Sequence, residues 1–346
     1  MESQSTFAPG GGKTRLIGSA AMLPVGLLVA LLLLALAAAV AVGLGAAEID
    51  LGTVSRALVA YDSGQIEQVI IRTVRLPRVV AGLLVGAGLA AAGAIMQGVT
   101  GNPLASPGLL GINAGAAFAV VVGVYVLGAP PLPVYGLLAM IGATVAGVLV
   151  YALASLGRGG ASPAKLTLAG VIFSLFVSAL TTALLVLDQN TFDQIRFWTV
   201  GSLAGRDWGM VLWLGPFVVA GLALGLLLGR QITTLSLGAD VARGLGQQVG
   251  RTRALSAVAV ILMVGGAVAI AGPVGFVGLV VPHAVRVLVG YDYRWITPYS
   301  AVGGALLVTV ADTAGRVVQR PQEVPIGVML ALVGAPFFIY LVRRIR

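Results

Sequence analysis

An all-α polytopic membrane protein of about ten transmembrane helices is the fold class this sequence predicts, and three observations carry it. Of the 346 residues, 58% are hydrophobic and only 10% are charged, against about a quarter charged in soluble domains. Residues 79–157 contain no Asp, Glu, Lys, Arg or His, and a soluble fold cannot leave so long a stretch without a solvated face. Cutting the apolar sequence at its charges and Gly/Pro breaks then leaves segments close to the ~20 residues that cross a hydrocarbon core.

In order, the leading apolar run from Leu16 to Ala47 is too long for a secretory h-region of about 7 to 15 residues, so it reads as the first span, near 22–45. Residues 1–15 form a polar cytoplasmic tail ahead of it, and 16–346 a single transmembrane domain. The further candidates lie near 78–100, 107–128, 134–156, 166–187, 208–229, 254–272, 275–290, 296–314 and 325–342. The third, which opens after Gly101-Asn102-Pro103, and the eighth, short and containing His283 and Arg286, decide the parity of everything downstream.

Charge tests that parity. With a cytoplasmic amino terminus and an even count, the inner side holds thirteen basic residues, among them Arg230, Arg243, Arg251, Arg253 and the carboxy-terminal arginines, against Glu2, Asp240 and Asp292. The outer side holds eight arginines and nine acidic residues. This distribution follows the positive-inside rule and places both termini in the cytoplasm.

Composition also excludes functions. The chain has no cysteine and one histidine, His283, so it cannot build a thiolate or multi-histidine metal site. The formal charge of +9 is a matter of topology in such a chain, and no nucleic-acid partner is inferred from it. Gly12-Lys13-Thr14 resembles the end of a phosphate-binding loop, but the required earlier glycine is Phe7 and no strand precedes it. An ion-coupled secondary transporter, the rival of another class, needs a carboxylate deep in a span; the acidic residues map to loops and helix ends, with Asp312 the nearest exception. An embedded enzyme lacks a nucleophile paired with a base.

In the second span Gly82, Gly86 and Ala90 recur four apart and leave one helix face nearly bare, for close helix packing or for a pore wall. Just before it, IRTVRLPR, Ile71 to Arg78, lies outside. Pro77 suits a helix's first position and Leu76 is biased away from helix, so Arg72 and Arg75 belong to the approach and Arg78 to the first turn. Cations at a helix N-terminus oppose its macrodipole. Two readings stay open: snorkelling onto lipid phosphates and docking of an acidic partner.

At the inner end of that span lie Met96, Gln97, Asn102 and Ser106. Gln97 at lipid level needs protein or water against it, in an interhelical hydrogen bond or at a pore position. Leu235 to Arg253, too polar to span, reads as a short interfacial helix with Leu237, Val241 and Leu245 on one face, lying on lipid or on a partner, and Gly244 and Gly246 able to end it.

The segment RLPRVVAGLLVGAGLAAAGAIMQGVTGNPLASPGLLGINAGA (Arg75 to Ala116) resembles the signature of FecCD-family permeases, subunits of bacterial ABC importers for iron chelates and vitamin B12. LTLAGVIFS (Leu166 to Ser174), FWTVGSLAGRDW (Phe197 to Trp208), LSLGADVARGLG (Leu235 to Gly246), GPVGFVGLVVPHAVRVLVGYDYR (Gly272 to Arg294) and the ADTAGR ending agree in order, covering nearly everything after residue 70. The resemblance implies the type II ABC importer permease fold, with ten helices, in the bacterial inner membrane. It implies a second permease subunit, identical or paralogous, two ATPase subunits that hold ATP and Mg, and a periplasmic or lipid-anchored binding protein; this chain itself would hold no cofactor.

By position in the R-x-x-R-L-P-R and A-D-x-x-x-R motifs, the resemblance assigns binding-protein docking to Arg72, Arg75 and Arg316. It assigns ATPase coupling to Leu237, Gly238, Asp240, Val241, Ala242, Arg243, Gly244, Leu245 and Gly246, and the translocation path to Met96, Gln97, Asn102 and Ser106. Ser162, Pro163, Ala164 and Lys165 match the cytoplasmic gate loosely, since Pro163 and Ala164 stand where the vitamin B12 permease has hydroxyl residues. RFWTVGSLAGRDW and RPQEVPIG look most like ferric-siderophore permeases, with haem and corrinoid as the alternatives.

Overall fold

A computed structural model describes residues 21–45, 49–128, 131–156, 163–320 and 322–345, and every regular element among them is helical. The tail 1–15 and Ser162 lie outside the described residues. In chain order the α-helices are α1 (Met22–Gly43), α2 (Leu51–Val59), α3 (Ile66–Ile70), α4 (Leu76–Thr100), α5 (Ile112–Leu127), α6 (Leu132–Ser155), α7 (Pro163–Leu187) and α8 (Gln189–Val200). They continue with α9 (Trp208–Leu227), α10 (Gly229–Ser236), α11 (Ala239–Gly244), α12 (Val249–Ala271), α13 (Val277–Val289), α14 (Tyr293–Val318) and α15 (Ile326–Ile345).

Among the described residues, seven helices are long and apolar enough to cross a bilayer: α1, α6, α7, α9, α12, α14 and a continuous run, Ile66–Thr100, that contains α3 and α4. Shorter apolar helices at Ile112–Leu127, Val277–Val289 and Ile326–Tyr340 supply the remaining three of the ten expected segments. The two weak candidates are therefore helices, α5 and α13. The chain is a multi-pass membrane protein.

Aspartates start several of these helices. Asp50, Asp188, Asp207 and Asp292 each accept a backbone N–H in the first turn of α2, α8, α9 and α14, satisfying donors that a helix start leaves unpaired. Burial acts to raise the Asp292 carboxyl, but the hydrogen bonds and charge of Arg294 outweigh it and hold the group below the usual carboxylate range. A large share of the acidic residues is thus committed to helix starts.

Helix α4 is the spine of the bundle. A side chain at Gly86 would overlap the Gly304 carbonyl of α14, and one at Gly93 would overlap the Gly278 carbonyl of α13. The bare face expected from Gly82, Gly86 and Ala90 is used for helix packing. Lipid offers no hydrophobic drive between helices, so association depends on such close backbone approach.

Helix α13 has 13 residues, about 20 Å at 1.5 Å per residue, short of the ~30 Å core. Non-helical backbone from Gly272 to Phe276 precedes it. Two side-chain amides hold this region: Asn113 Nδ2 donates to Val274 O at 3.3 Å and Gln97 Nε2 donates to Gly278 O at 3.2 Å. Irregular backbone at membrane depth survives only where protein or water covers it. Phe276 adopts φ 67°, alone among the described non-glycine residues in having a positive φ, and Gly334 of α15 makes room for its ring.

Hydrogen bonds between connections lie near both ends of α14. At one end Ser202 N donates to Ala271 O at 2.8 Å, Val324 N to Gly315 O at 3.0 Å and Gly327 N to Gly201 O at 3.2 Å. At the other, Tyr293 N donates to Thr233 Oγ1 at 2.9 Å, tying α14 to α10.

Candidate functional site

The IRTVRLPR stretch differs from its sequence-based description. The approach is itself helical, through α3 and a π-helical turn at Ile71–Arg75, so Pro77 sits inside a continuous helical run. The wide turn removes the conflict, since proline lacks an N–H and crowds the carbonyl of the preceding turn. It also turns the arginines inward. Arg75 Nη1 donates to Val42 O at 2.9 Å and Gly43 O at 2.6 Å. Arg316 Nη1 donates to Ala41 O at 3.0 Å and Leu44 O at 2.8 Å. Both side chains are buried, 5% and 3% exposed.

Two guanidinium groups thus cap the last carbonyls of α1, groups that a helix end leaves unpaired. The dipole argument also reverses for Arg75: with Arg316 it lies at the negative C-terminal end of α1, where a cation is favourable. Arg72 remains nearer the surface, half-buried, with Nε donating to Ala57 O at 2.8 Å and its guanidinium 4.4 Å from the centre of the Tyr61 ring. Trp208 Nε1 donates to the Arg72 carbonyl at 2.8 Å. The three predicted docking arginines therefore lie at one end of the bundle, but only Arg72 keeps partial exposure.

Sequence reasoning gave no pairing role to the residue that joins Arg316 to Arg78. Asp312 accepts from Arg78 Nε at 3.0 Å and Nη2 at 2.9 Å and pairs with Arg316 Nε at 3.1 Å, while Arg78 Nη1 reaches Glu323 at 2.7 Å. The buried carboxylate thus bridges buried Arg316 and half-buried Arg78. A signal existed in the sequence, because Asp312 was the acidic residue nearest the interior of a span; its partner, 234 positions away, was not legible.

At the opposite end, the expected interfacial helix is broken. Gly238 at φ 118° separates α10 from the short α11, and Gly246 at φ 80° follows it; no side chain is tolerated comfortably in that backbone region. Leu237, Val241 and Leu245 nevertheless all face outward, 67%, 49% and 69% exposed. Ala242 is the buried foot of this unit, packed with Leu235 and Val249. Asp240 and Arg243 form an exposed ion pair at 2.6 Å, and Gly244 closes α11.

The path candidates stay near this end. Met96 and Gln97 are buried on α4, with Gln97 engaged on Gly278, whereas Asn102 and Ser106 are half-buried in the following turn, where Asn102 Oδ1 accepts from Leu104 N at 2.9 Å. Of the gate candidates, Pro163 begins α7, Ala164 is exposed, and Lys165 Nζ reaches Leu156 O at 3.5 Å across the α6–α7 connection.

Against known proteins, the model of the FecCD transport family matches residues 30–344. The siderophore transport system permease protein YfiZ of Bacillus subtilis (strain 168) is 46% identical over 82% of this chain and 85% of its own length. The Fe(3+)-citrate import system permease protein YfmD of the same organism is 40% identical over 92% of this chain and 94% of its own. A solved structure, an inward-facing conformation of a metal-chelate type ABC transporter, superposes with a TM-score of 0.80 at 30% identity, covering 93% of this chain and 99% of that one.

Proposed function

We propose that this chain, which belongs to the FecCD transport family, is the membrane permease of an ATP-driven importer of ferric chelates, with a ferric siderophore as its cargo. The observation that carries the reading is the similarity along most of the chain to siderophore and ferric-citrate permeases. In this reading the α10–α11 end and both termini face the cytoplasm, in keeping with the excess of inner arginines. ATP and Mg are held by two ATPase subunits beneath a pair of permeases. The exposed Leu237, Val241 and Leu245, with Gly238 and Gly246 shaping their loop, form the seat for the ATPase.

Proteoliposomes holding the chain with its ATPase and binding protein are expected to accumulate ferric siderophore only when ATP is supplied. Uptake on a proton or sodium gradient without ATP would make the chain a secondary transporter instead. Leu237→Glu with Leu245→Glu should abolish co-purification of the ATPase and cut uptake roughly tenfold or more, the equivalent of about 1.4 kcal/mol at the interface. Both side chains are largely exposed, so the melting temperature of the variant chain should hold; intact assembly would remove the coupling assignment.

On the outer face, docking falls to Arg72 at the surface, with Arg75 and Arg316 behind it under the α1 carbonyls. Arg72→Glu should weaken association with the binding protein and flatten its salt dependence. An unchanged affinity and salt slope would leave Arg72 to its contacts with Ala57 and Tyr61 alone.

A further inference from the structure

Near the α10–α11 end, the inner part of α4, the tight helical turn Pro107–Leu110, the last turns of α6 and the first turns of α7 and α12 surround a cavity of about 90 Å³. That is several times what one water molecule needs. The walls are apolar, with Ile95 and Val99 from α4, Val150 from α6, Leu166 from α7 and Val260 from α12. Arg253 and Ile261 both line the space from α12, which therefore follows that helix for about 12 Å at 1.5 Å per residue. Two more lining residues, Tyr151 of α6 and Ala257 of α12, are exposed. The cavity thus opens sideways, between α6 and α12, onto the flank of the bundle.

Arg253 is the charged member of this lining. It is half-buried and makes no hydrogen bond or ion pair with any described residue. A cation without a counter-charge beside an apolar crevice calls for an occupant with an anionic head and a hydrocarbon tail. Basic pockets between membrane helices on the cytoplasmic side take anionic lipid head groups, and the guanidinium fork matches a phosphate. Water fits the crevice poorly, because it needs two to four polar partners. The Thr100 hydroxyl is committed to Met96 O at 2.7 Å, and the Ser256 hydroxyl is buried away from the space.

We infer that this crevice holds one anionic phospholipid of the inner leaflet, its phosphate on Arg253 and part of an acyl chain between α4, α6 and α12. The inference rests on the permease reading for the side of the membrane alone. It involves neither the cargo nor the ATPase, and it adds a lipid partner at the inner end of the bundle.

The full chain in mild detergent, titrated with palmitoyl-oleoyl phosphatidylglycerol and followed by native mass spectrometry, tests this. Phosphatidylcholine with the same chains supplies the tail without net charge, and glycerol phosphate supplies the charge without a tail. One phosphatidylglycerol per chain should bind, roughly fivefold more tightly than phosphatidylcholine, with no competition from glycerol phosphate. Arg253→Gln should remove that preference. Ala257→Leu, which narrows the opening with an apolar side chain, should weaken both lipids roughly threefold or more, the loss of about one buried methylene. Arg251→Gln, at an exposed position outside the lining, should change neither lipid. Unchanged melting temperatures establish that the variants fold, and should Arg253→Gln fail to fold, Ala257→Leu and the comparison of the two lipids decide. Equal affinity for the two lipids, displacement by glycerol phosphate, wild-type binding in Ala257→Leu, or the same result for Arg253→Gln and Arg251→Gln overturns the site. Binding is measured without ATPase or ATP, so a failed lipid site leaves the permease reading intact, and a failed permease reading leaves lipid binding standing.

Discussion

Gly86→Leu is expected to leave no folded, monodisperse chain after detergent extraction. At this position a Cβ would overlap the Gly304 carbonyl and come within 2.8 Å of Ala305 Cα. These are backbone atoms of α14, so no rotamer change relieves the contact, and the two helices must separate. Extra volume in a packed core that can adjust costs about 1 to 3 kcal/mol; separating α4 from α14 should exceed that. It would also strain the contact two turns further along the same face of α4, where Gly93 meets Gly278. Gly250→Ala is the control, because nothing lies within 4 Å of a Cβ there. Size-exclusion profiles and thermal unfolding report the outcome, and a Gly86→Leu chain with the control's melting temperature would refute the packing account.

Asp312→Ala should destabilise the chain by about 3 to 5 kcal/mol, the usual cost of leaving a buried charge uncompensated. The argument is an ordering as well as a magnitude. Asp312 is shared by Arg78 and Arg316, so its loss leaves buried Arg316 without its carboxylate and Arg78 with Glu323 alone. Arg78→Ala removes one cation, leaves the Asp312 to Arg316 pair in place, and frees Glu323, whose side chain is 31% exposed and can turn to water. Asp312→Ala should therefore melt lower than Arg78→Ala. The loss should also reach α1, since Arg316 holds the Ala41 and Leu44 carbonyls. Chemical denaturation in a fixed detergent measures both variants; an equal or reversed order would mean that Asp312 is not the bridge.

The two predictions draw on different levels of legibility. Gly86 could be read from spacing, because a bare face four residues apart is a property of one helix. Asp312 could be noticed but not assigned, because its meaning depends on helices joined only in space. The same contrast applies to Arg75 and Arg316. Their motif positions suggested an outward role, whereas the π turn at Ile71–Arg75 and the end of α1 bring them to one set of carbonyls. At the inner end, the outward set of Leu237, Val241 and Leu245 was legible from their spacing, but the break at Gly238 was not. A glycine tolerates a positive φ without announcing it.

By itself the sequence determined where the ten apolar helical segments lie, down to the weak α5 and α13, because transfer of apolar side chains into hydrocarbon is summed residue by residue along the chain. Only the tertiary structure decided which partner each buried polar group takes. Arg75 with the end of α1, Arg78 with Asp312, and Gln97 with Gly278 are pairings between distant segments. Such pairings follow from how close the helix backbones approach, and glycine contacts along α4 set that distance.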